Sequence, residues 1–434
     1  MVVIKFLGGT REVGRSAVLI KSKSGKSCLL DYGVRFTEED RLPIDTELGD
    51  LQAIALSHCH VDHSGALPYI YTKYKVPLLT NALTHQVSEI LLRDLIRVSR
   101  HSYPFGYREL DILRNNTIFL ENKVRHKIDD NFYITFYNAG HIPGSVSILV
   151  EVDDKKIFYT GDINTKSTNL INGADPKEIP RIDCLITEST YALKNHPERE
   201  ELEKTFMENV INVTEDNGNV LVPAFGVARS QEILLMLKKY NFQGKVYLDG
   251  LSKKISATYF DHPNKLRDYQ FYKRAFSNSK FVTFKNRKHI RNNSNYVMIT
   301  PSGMLKGGAA LFYIKDMLED KNSAIYMVGY QAEGTPGNKL LESGVFEYHE
   351  DRKPRTHTQD MEIRAKCDVD YFDFSSHADS SQLLDYVEDL EFTNNHRAVF
   401  CIHGDEKSTT TFAKKLAQKK YNAVAPEIEE TYRI

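Results

Sequence analysis

The 434-residue chain has almost no net charge: 57 Lys and Arg stand against 58 Asp and Glu, a formal balance of −1. That removes a globally basic surface as a basis for nucleic-acid binding, so any polyanion site must be a local concentration of cations. Cysteine is scarce: Cys28, Cys59, Cys184, Cys367 and Cys401 are odd in number, far apart and form no CxxC pair. This argues against a disulfide framework and a cysteine-rich zinc site, and makes a reducing cytoplasm the expected compartment. No apolar run of about 18 residues is present, which excludes a membrane-spanning helix. The opening MVVIKFLGG breaks at Gly8-Gly9 before a long apolar stretch develops, so it reads as a strand and turn, not as a signal peptide. Internal repeats and low-complexity linkers are also missing.

What is present is globular: 41% hydrophobic and 11% aromatic residues, on a length that suits two or three domains. Short β-type runs over 2–7, 17–21, 28–30, 51–56, 132–137, 146–152 and 157–159 dominate the first part, with one helical stretch over 83–99. After about residue 192 the rhythm becomes alternating. Helices are expected over 198–215, 229–240 and 309–318, and strands over 220–222, 245–248, 296–299 and 324–328. That pattern predicts βαβ units and a parallel sheet. From about 376 the chain returns to helix, strand and helix over 380–390, 398–402 and 408–420.

Histidine carries the strongest signal. Ser57-His58-Cys59-His60-Val61-Asp62-His63 follows directly on the apolar run 54–56. Three histidines and an aspartate within six positions suit neither a core nor a solvated helix. They suit a tight loop at a strand end, where alternate side chains converge. Imidazole nitrogen and carboxylate oxygen are ligands for zinc and other first-row divalent ions. So many ligands crowd one tetrahedral ion, whereas two neighbouring ions can share them. A chance surface cluster is the plain alternative, and the HxHxDH spacing argues against it. Further candidates stand at strand ends: His141 after Ala139-Gly140, Asp162 after Thr160-Gly161, and His403 after Ile402. Each alone could be a turn or cap residue. With the histidine loop they make two metal shells.

In chain order, Asp31, the 58–63 loop, His141 and Asp162 resemble the four motifs of the metallo-β-lactamase fold. Glu188 in Thr187-Glu188-Ser189, His377 in Ser376-His377-Ala378 and His403 resemble the three further motifs of the β-CASP nucleases. Thr300-Pro301-Ser302-Gly303-Met304 and Gly329-Tyr330-Gln331-Ala332-Glu333-Gly334 are similar to segments of archaeal and bacterial relatives of the 73-kilodalton subunit of the cleavage and polyadenylation specificity factor. The likeness covers nearly the whole chain and is to the short form without KH-type domains. It implies an αββα sandwich over 1–191 and 376–434, with a parallel-sheet α/β β-CASP domain inserted over 192–375 as a cap. It also implies two zinc ions, one on His58, His60 and His141, the other on Asp62, His63 and His403, with Asp162 bridging. Asp31 would accept a hydrogen bond from a ligand imidazole and fix its tautomer. Two such cations lower the pKa of a shared water and clamp a phosphate oxygen. His377 would serve as general acid, oriented and kept protonated by Glu188. Without the motif order, Glu188 reads as an ordinary strand-end acid and His377 as a helix-cap residue.

The fold alone does not choose a substrate. The resemblance favours single-stranded RNA, because family members acting on RNA carry histidine at the position of His403. Local charge points the same way. Residues 265–291 hold nine Lys and Arg against the single acid Asp268, with Tyr269, Phe271, Tyr272, Phe276, Phe281 and Phe284 interleaved. Such a mixture suits phosphate contacts and base stacking; a solvated helix face over core aromatics is the other reading. Ser302 and Gly303, in a strand-to-helix turn, could hold a phosphate, or the turn could be purely structural. Arg229 resembles a family position facing the substrate, or is a surface helix residue. The expected activity is thus a two-zinc ribonuclease in RNA processing or decay, by endonucleolytic or 5′→3′ exonucleolytic cleavage. A small-molecule metallohydrolase and a metal-free scaffold of an RNA-processing complex are the rivals. A homodimer through the metallo-β-lactamase domain is implied by the family.

Overall fold

In the computed structural model of the protein, residues 1–36, 41–99, 103–349 and 360–434 are described. They fall into two compact units. The first comprises Met1–Ser167, Ile171–Asn195 and Ser376–Ile434, and the second Thr168–Leu170 and His196–Ser375.

The first unit is built on two seven-stranded sheets. One runs, across the sheet, through Thr431–Arg433, Val3–Gly8, Ala17–Lys21, Lys26–Leu30, Asp50–Ala55, Leu78–Thr80 and Thr117–Phe119. The other runs through Asn422–Val424, Ala398–Ile402, Cys184–Glu188, Lys155–Tyr159, Val146–Val152, Phe132–Asn138 and His126–Asp129. Side-chain alternation decides how they stack. Ile4, Phe6, Val18, Ile20, Cys28 and Leu30 of the first sheet share one buried cluster with Ile134, Phe136, Ile148, Val150, Ile157 and Phe400 of the second. The intervening residues face outward under helices. Leu19, Leu29 and Ile54 pack with Leu92 and Leu95 of the helix Ala82–Val98, and Leu149, Phe158 and Val399 with Leu383, Val387 and Phe412 of Ser380–Asp389 and Glu406–Gln418. Both faces of the central strands are therefore apolar, and runs such as AVLI at 17–20 are buried throughout. The result is an αββα sandwich.

The second unit is a parallel sheet in the order Ser279–Phe281, Lys245–Leu248, Tyr296–Thr300, Val220–Pro223, Ala324–Met327, Asp368–Tyr371. Val220, Val222, Val297 and Ile299 face the helices Arg199–Glu215 and Arg229–Lys239. Leu221, Met298 and Ile325 face Ala310–Glu319 on the other side. Expected helices and strands stand within about two residues of their observed bounds. Several short elements were not legible: the strands Leu78–Thr80, Thr117–Phe119 and His126–Asp129, the helix Tyr107–Asn115, and the hairpin of Val345–His349 with Asp360–Arg364.

Direction matters more than count. Lys26–Leu30 and Asp50–Ala55 are parallel, as are Lys155–Tyr159, Cys184–Glu188 and Ala398–Ile402. Phe132–Asn138 is antiparallel to Val146–Val152, itself antiparallel to Lys155–Tyr159, so it shares the direction of the latter. All of these but the antiparallel Val146–Val152 deliver their carboxyl ends to site residues: Asp31, the 58–63 loop, His141, Asp162, Glu188 and His403.

Gly33 shows how closely that rim is packed. Its N–H donates to the Ser16 carbonyl, and the Ser16 N–H donates to the Asp62 carbonyl. A Cβ on Gly33 would collide with the Asp62 carbonyl and the His63 backbone nitrogen. Gly33→Ala is expected to cost about 1–3 kcal/mol through overpacking, seen as a lowered midpoint in thermal denaturation. Gly307→Ala, with open space around its Cα, should leave the midpoint nearly unchanged.

Candidate metal centre

Two groups of ligand atoms meet at this rim. His58, His60, His141 and Asp162 form one, and Asp62, His63 and His403 the other; within each group the atoms lie within 4.8 Å of one another. Asp162 faces both groups. Its Oδ2 is 3.5 Å from His58 Nε2 and 3.7 Å from His141 Nε2, while its Oδ1 is 3.2 Å from His63 Nε2 and 3.4 Å from His403 Nε2. Asp62 Oδ2 stands 3.7 Å from His403 Nε2.

Proton positions follow from the surroundings. Asp31 is buried and its Oδ2 accepts from Ser57 Oγ (2.6 Å), His63 Nδ1 (2.7 Å) and Tyr159 OH (2.7 Å), while Oδ1 accepts from the Ser57 N–H (2.7 Å). With its own proton given to Asp31, Ser57 Oγ can only accept from His58 Nδ1 at 3.0 Å. His141 Nδ1–H donates to the Ser376 carbonyl at 2.8 Å. The Nε2 lone pairs of His58 and His141 therefore both point at His60 Nδ1, at 3.1 and 3.2 Å. A single proton on His60 can satisfy one of them at most. Lone pairs converging in this way are the donor set of a cation.

Charge tells the same story. Burial, reinforced by neighbouring imidazoles, holds His58 and His141 well below the usual histidine range and outweighs Asp162. Burial likewise brings His60 down to about 4, against the pull of Asp62 and Asp162. These rings are neutral, the ligating form. His63 is also buried, yet the flanking carboxylates of Asp162 and Asp31 overcome this and raise it well above the usual value. Burial would raise Asp162, but His403, His63 and His58 hold it far below the usual carboxylate range. His63 Nε2 and Asp162 Oδ1 are nonetheless buried without a hydrogen-bond partner, being close but misaligned. A divalent ion there would take the place of the proton on His63 and occupy both orphaned atoms. The residues present thus fit zinc by donor type, protonation and unsatisfied valence.

Beside these ligands, Glu188 is buried and accepts from the Ile163 N–H (2.6 Å) and from His377 Nδ1, 3.1 Å from each oxygen. The His377 ring lies 4.4 Å from that of His141. Burial disfavours the charged imidazole, but Glu188 outweighs it and His377 is pushed up to about 9. Asp31 and His403 hold left-handed backbone angles (φ 57° and 50°) that few residues other than glycine adopt. They persist because both residues are bonded on several sides: the Asp31 N–H donates to Ala55, the His403 N–H donates to Gly9, and His403 Nδ1 meets Ser16 Oγ at 2.9 Å.

All ten of the expected ligand, acid and orienting residues lie together in the first unit. Ser302, Gly303 and Arg229 belong to the second. Ser302 Oγ donates to the Gly307 carbonyl (3.2 Å), closing its own loop, and the Gly303 carbonyl accepts from Gln331 Nε2 (2.8 Å). Arg229 opens the helix Arg229–Lys239. Tyr159 and Ser16 were missed from the sequence; a lone hydroxyl residue in a strand or at its entry carries no spacing signal for a partner over a hundred residues away.

Tyr159→Phe removes one donor from Asp31 without changing shape. Zinc affinity, measured by chelator competition, is expected to fall about tenfold with the fold retained, and His63→Ala should fall much further. An unchanged affinity in Tyr159→Phe would show that its bond to Asp31 does not act on the ligands.

Models of three known families match the sequence: Beta-Casp domain over residues 230–340, Zn-dependent metallo-hydrolase RNA specificity domain over 362–426, and Anti-Pycsar protein Apyc1 over 9–209. RNase aCSPSF2 of Saccharolobus solfataricus is 35% identical over 419 residues, covering 96% of this chain and 82% of the relative. Cleavage and polyadenylation specificity factor subunit 3 of Dictyostelium discoideum is 28% identical over 437 residues, 95% of this chain and 54% of that protein. The crystal structure of a protein of unknown function from Enterococcus faecalis V583 aligns with a TM-score of 0.62 at 14% identity over 99% of both chains, a likeness of fold alone. With that extent and level of identity, the chain belongs to the zinc-dependent β-CASP ribonuclease family of the metallo-β-lactamase fold, the family that includes the archaeal relatives of the 73-kilodalton cleavage factor subunit.

Proposed function

We propose that this protein is a ribonuclease that hydrolyses phosphodiester bonds of single-stranded RNA, in RNA processing or decay, using two zinc ions. One ion is held by His58, His60 and His141, the other by Asp62, His63 and His403, and Asp162 serves both. The observation that carries this reading is the placement of Asp162, with one carboxylate oxygen toward each set of imidazole nitrogens. A zinc pair supplies an activated water and charge neutralisation for phosphate.

The remaining chemistry belongs to side chains. As water's oxygen forms the new bond to phosphorus and the ester P–O bond breaks, the departing oxygen needs a proton. Nδ1 of His377 is engaged with Glu188, so that proton leaves from Nε2. Glu188 keeps the imidazolium charged and aimed. Asp31, supported by Tyr159 and Ser57, keeps the Nδ1 proton on His63 and so reserves Nε2 for a cation. In this reading residues 1–191 with 376–434 form the hydrolytic domain and 192–375 the β-CASP domain, within which 350–359 lie outside the described residues.

Substrate contacts are assigned to Gly303 and Arg229 on topological grounds, while Ser302, whose N–H and hydroxyl both donate to the Gly307 carbonyl, holds the loop in shape. The adjacent strands Val220–Pro223 and Tyr296–Thr300 are followed by helices on opposite faces of their sheet. Such a switch point opens a crevice at the carboxyl ends, the usual ligand position in open α/β sheets. Loop 301–308 leaves one strand there, and the other leads through 224–228 to Arg229. The two loops touch, since a Cβ on Gly303 would press on the Phe225 backbone nitrogen.

Zinc analysis is expected to return about two ions per chain, falling sharply in His63→Ala; zero in both would leave a scaffold role. Loss of the His377 proton sets an alkaline limb, with activity falling as pH rises through it. The limb is expected near pH 9, moved down by the charge of bound zinc and up by that of the substrate phosphate. His377→Ala is expected to lose about 10²–10⁴-fold in kcat together with that limb, at unchanged zinc content. Circular RNA separates the two cleavage modes, since only an endonuclease can cut it.

A further inference from the structure

The basic stretch 265–291 is not uniform. Three of its nine cations are committed to the fold. Arg267 donates to the Thr168 carbonyl (2.8 Å). Arg287 makes two bonds to the buried Asp249, at 2.8 and 3.1 Å, in a cluster with Tyr313. Arg291 pairs with Asp316. Of the aromatics, Tyr272 is buried with its hydroxyl donating to Ser256 (2.8 Å), and Phe276 packs against Phe260 at 4.6 Å. The core reading holds for that half.

The other half is different. Among the described residues, Lys280, Lys285 and Lys288 have no carboxylate partner. Phe281 is 38% exposed and Phe284 is 88% exposed, the latter with no ring partner among the described residues. The almost fully exposed Phe284 ring, beside Lys285, offers an open aromatic face on which a planar group can stack. Position adds a second, independent reason. Ser279–Phe281 is the edge strand of the parallel sheet, and Phe284 to Lys288 lie just beyond its carboxyl end. Loops 224–228 and 301–308 leave that same end of the sheet.

We propose that Phe284, Lys285 and Lys288 form a holding surface for single-stranded RNA, in which an unpaired base stacks on Phe284 and the lysines contact the flanking phosphates. It deepens the ribonuclease reading, on which it rests, by adding a substrate-retaining surface to the second unit. Charge selects a polyanion; a bare aromatic face selects unpaired bases over duplex or acidic peptide.

The test measures fluorescence anisotropy of the full zinc-loaded protein with a cleavage-resistant, phosphorothioate-linked 20-nucleotide pyrimidine RNA over a range of salt. Phe284→Ala is expected to weaken binding about tenfold with the salt slope unchanged, and Phe284→Tyr to restore it. Lys285→Ala with Lys288→Ala should flatten the slope of log K against log salt by about 1.4, at about 0.7 per lost contact. The control pair Lys321→Ala with Lys366→Ala removes equal charge just before the strands Ala324–Met327 and Asp368–Tyr371, at the amino end of the sheet, and should match wild type. Binding of Phe284→Ala within twofold of wild type overturns the proposal. So does an equal loss on duplex RNA, or a lysine effect seen only with a polyglutamate peptide. Cleavage is read separately on the all-phosphodiester RNA of the same sequence: a wild type that binds the resistant RNA but leaves the ordinary one intact would refute the ribonuclease reading and leave this surface standing.

Discussion

A buried carboxylate set among imidazoles that cannot all be satisfied by protons is the constraint on which this molecule turns. Asp162 is enclosed with His58, His63, His141 and His403. Two of those rings have their proton-bearing nitrogens fixed away from it by Ser57 and the Ser376 carbonyl. The pocket is left with inward lone pairs and one strongly acidic carboxyl group. Burying such a set is unfavourable unless a compensating charge enters. The fold accepts that cost where several strands end together.

The sandwich explains how the cost is borne. Strands apolar on both faces anchor the rim between a central core and two helical layers. The loops that leave them are fixed at the rim by backbone hydrogen bonds such as Ser16 to Asp62 and His403 to Gly9. Left-handed backbone at Asp31 and His403 is affordable in that setting alone.

Much of this was legible because it was local. HxHxDH declares itself by spacing, and the long helices and fully buried strands by period. Short edge strands such as His126–Asp129, with a lysine and two further polar residues in four positions, lack the alternation that marks a half-buried strand. Over the helix Tyr269–Ser277 the composition left two readings open, a nucleic-acid surface and a helix face over core aromatics, and the buried Tyr272 and Ala275 decide for the second. Ser302 could be named from its motif, but not that its hydroxyl would be spent on Gly307. Tyr159 was invisible for the deepest reason: its partner Asp31 lies in the opposite sheet, and only stacking brings them to 2.7 Å.

That last bond has a wider meaning. Asp31 and the 58–63 loop come from one sheet, and His141, Asp162 and His403 from the other. Whatever occupies the centre therefore acts as a clasp across the sandwich, and its affinity is thermodynamically linked to the docking of the two layers. Hydrolytic competence and cohesion of the fold are, in this design, one equilibrium viewed from two sides.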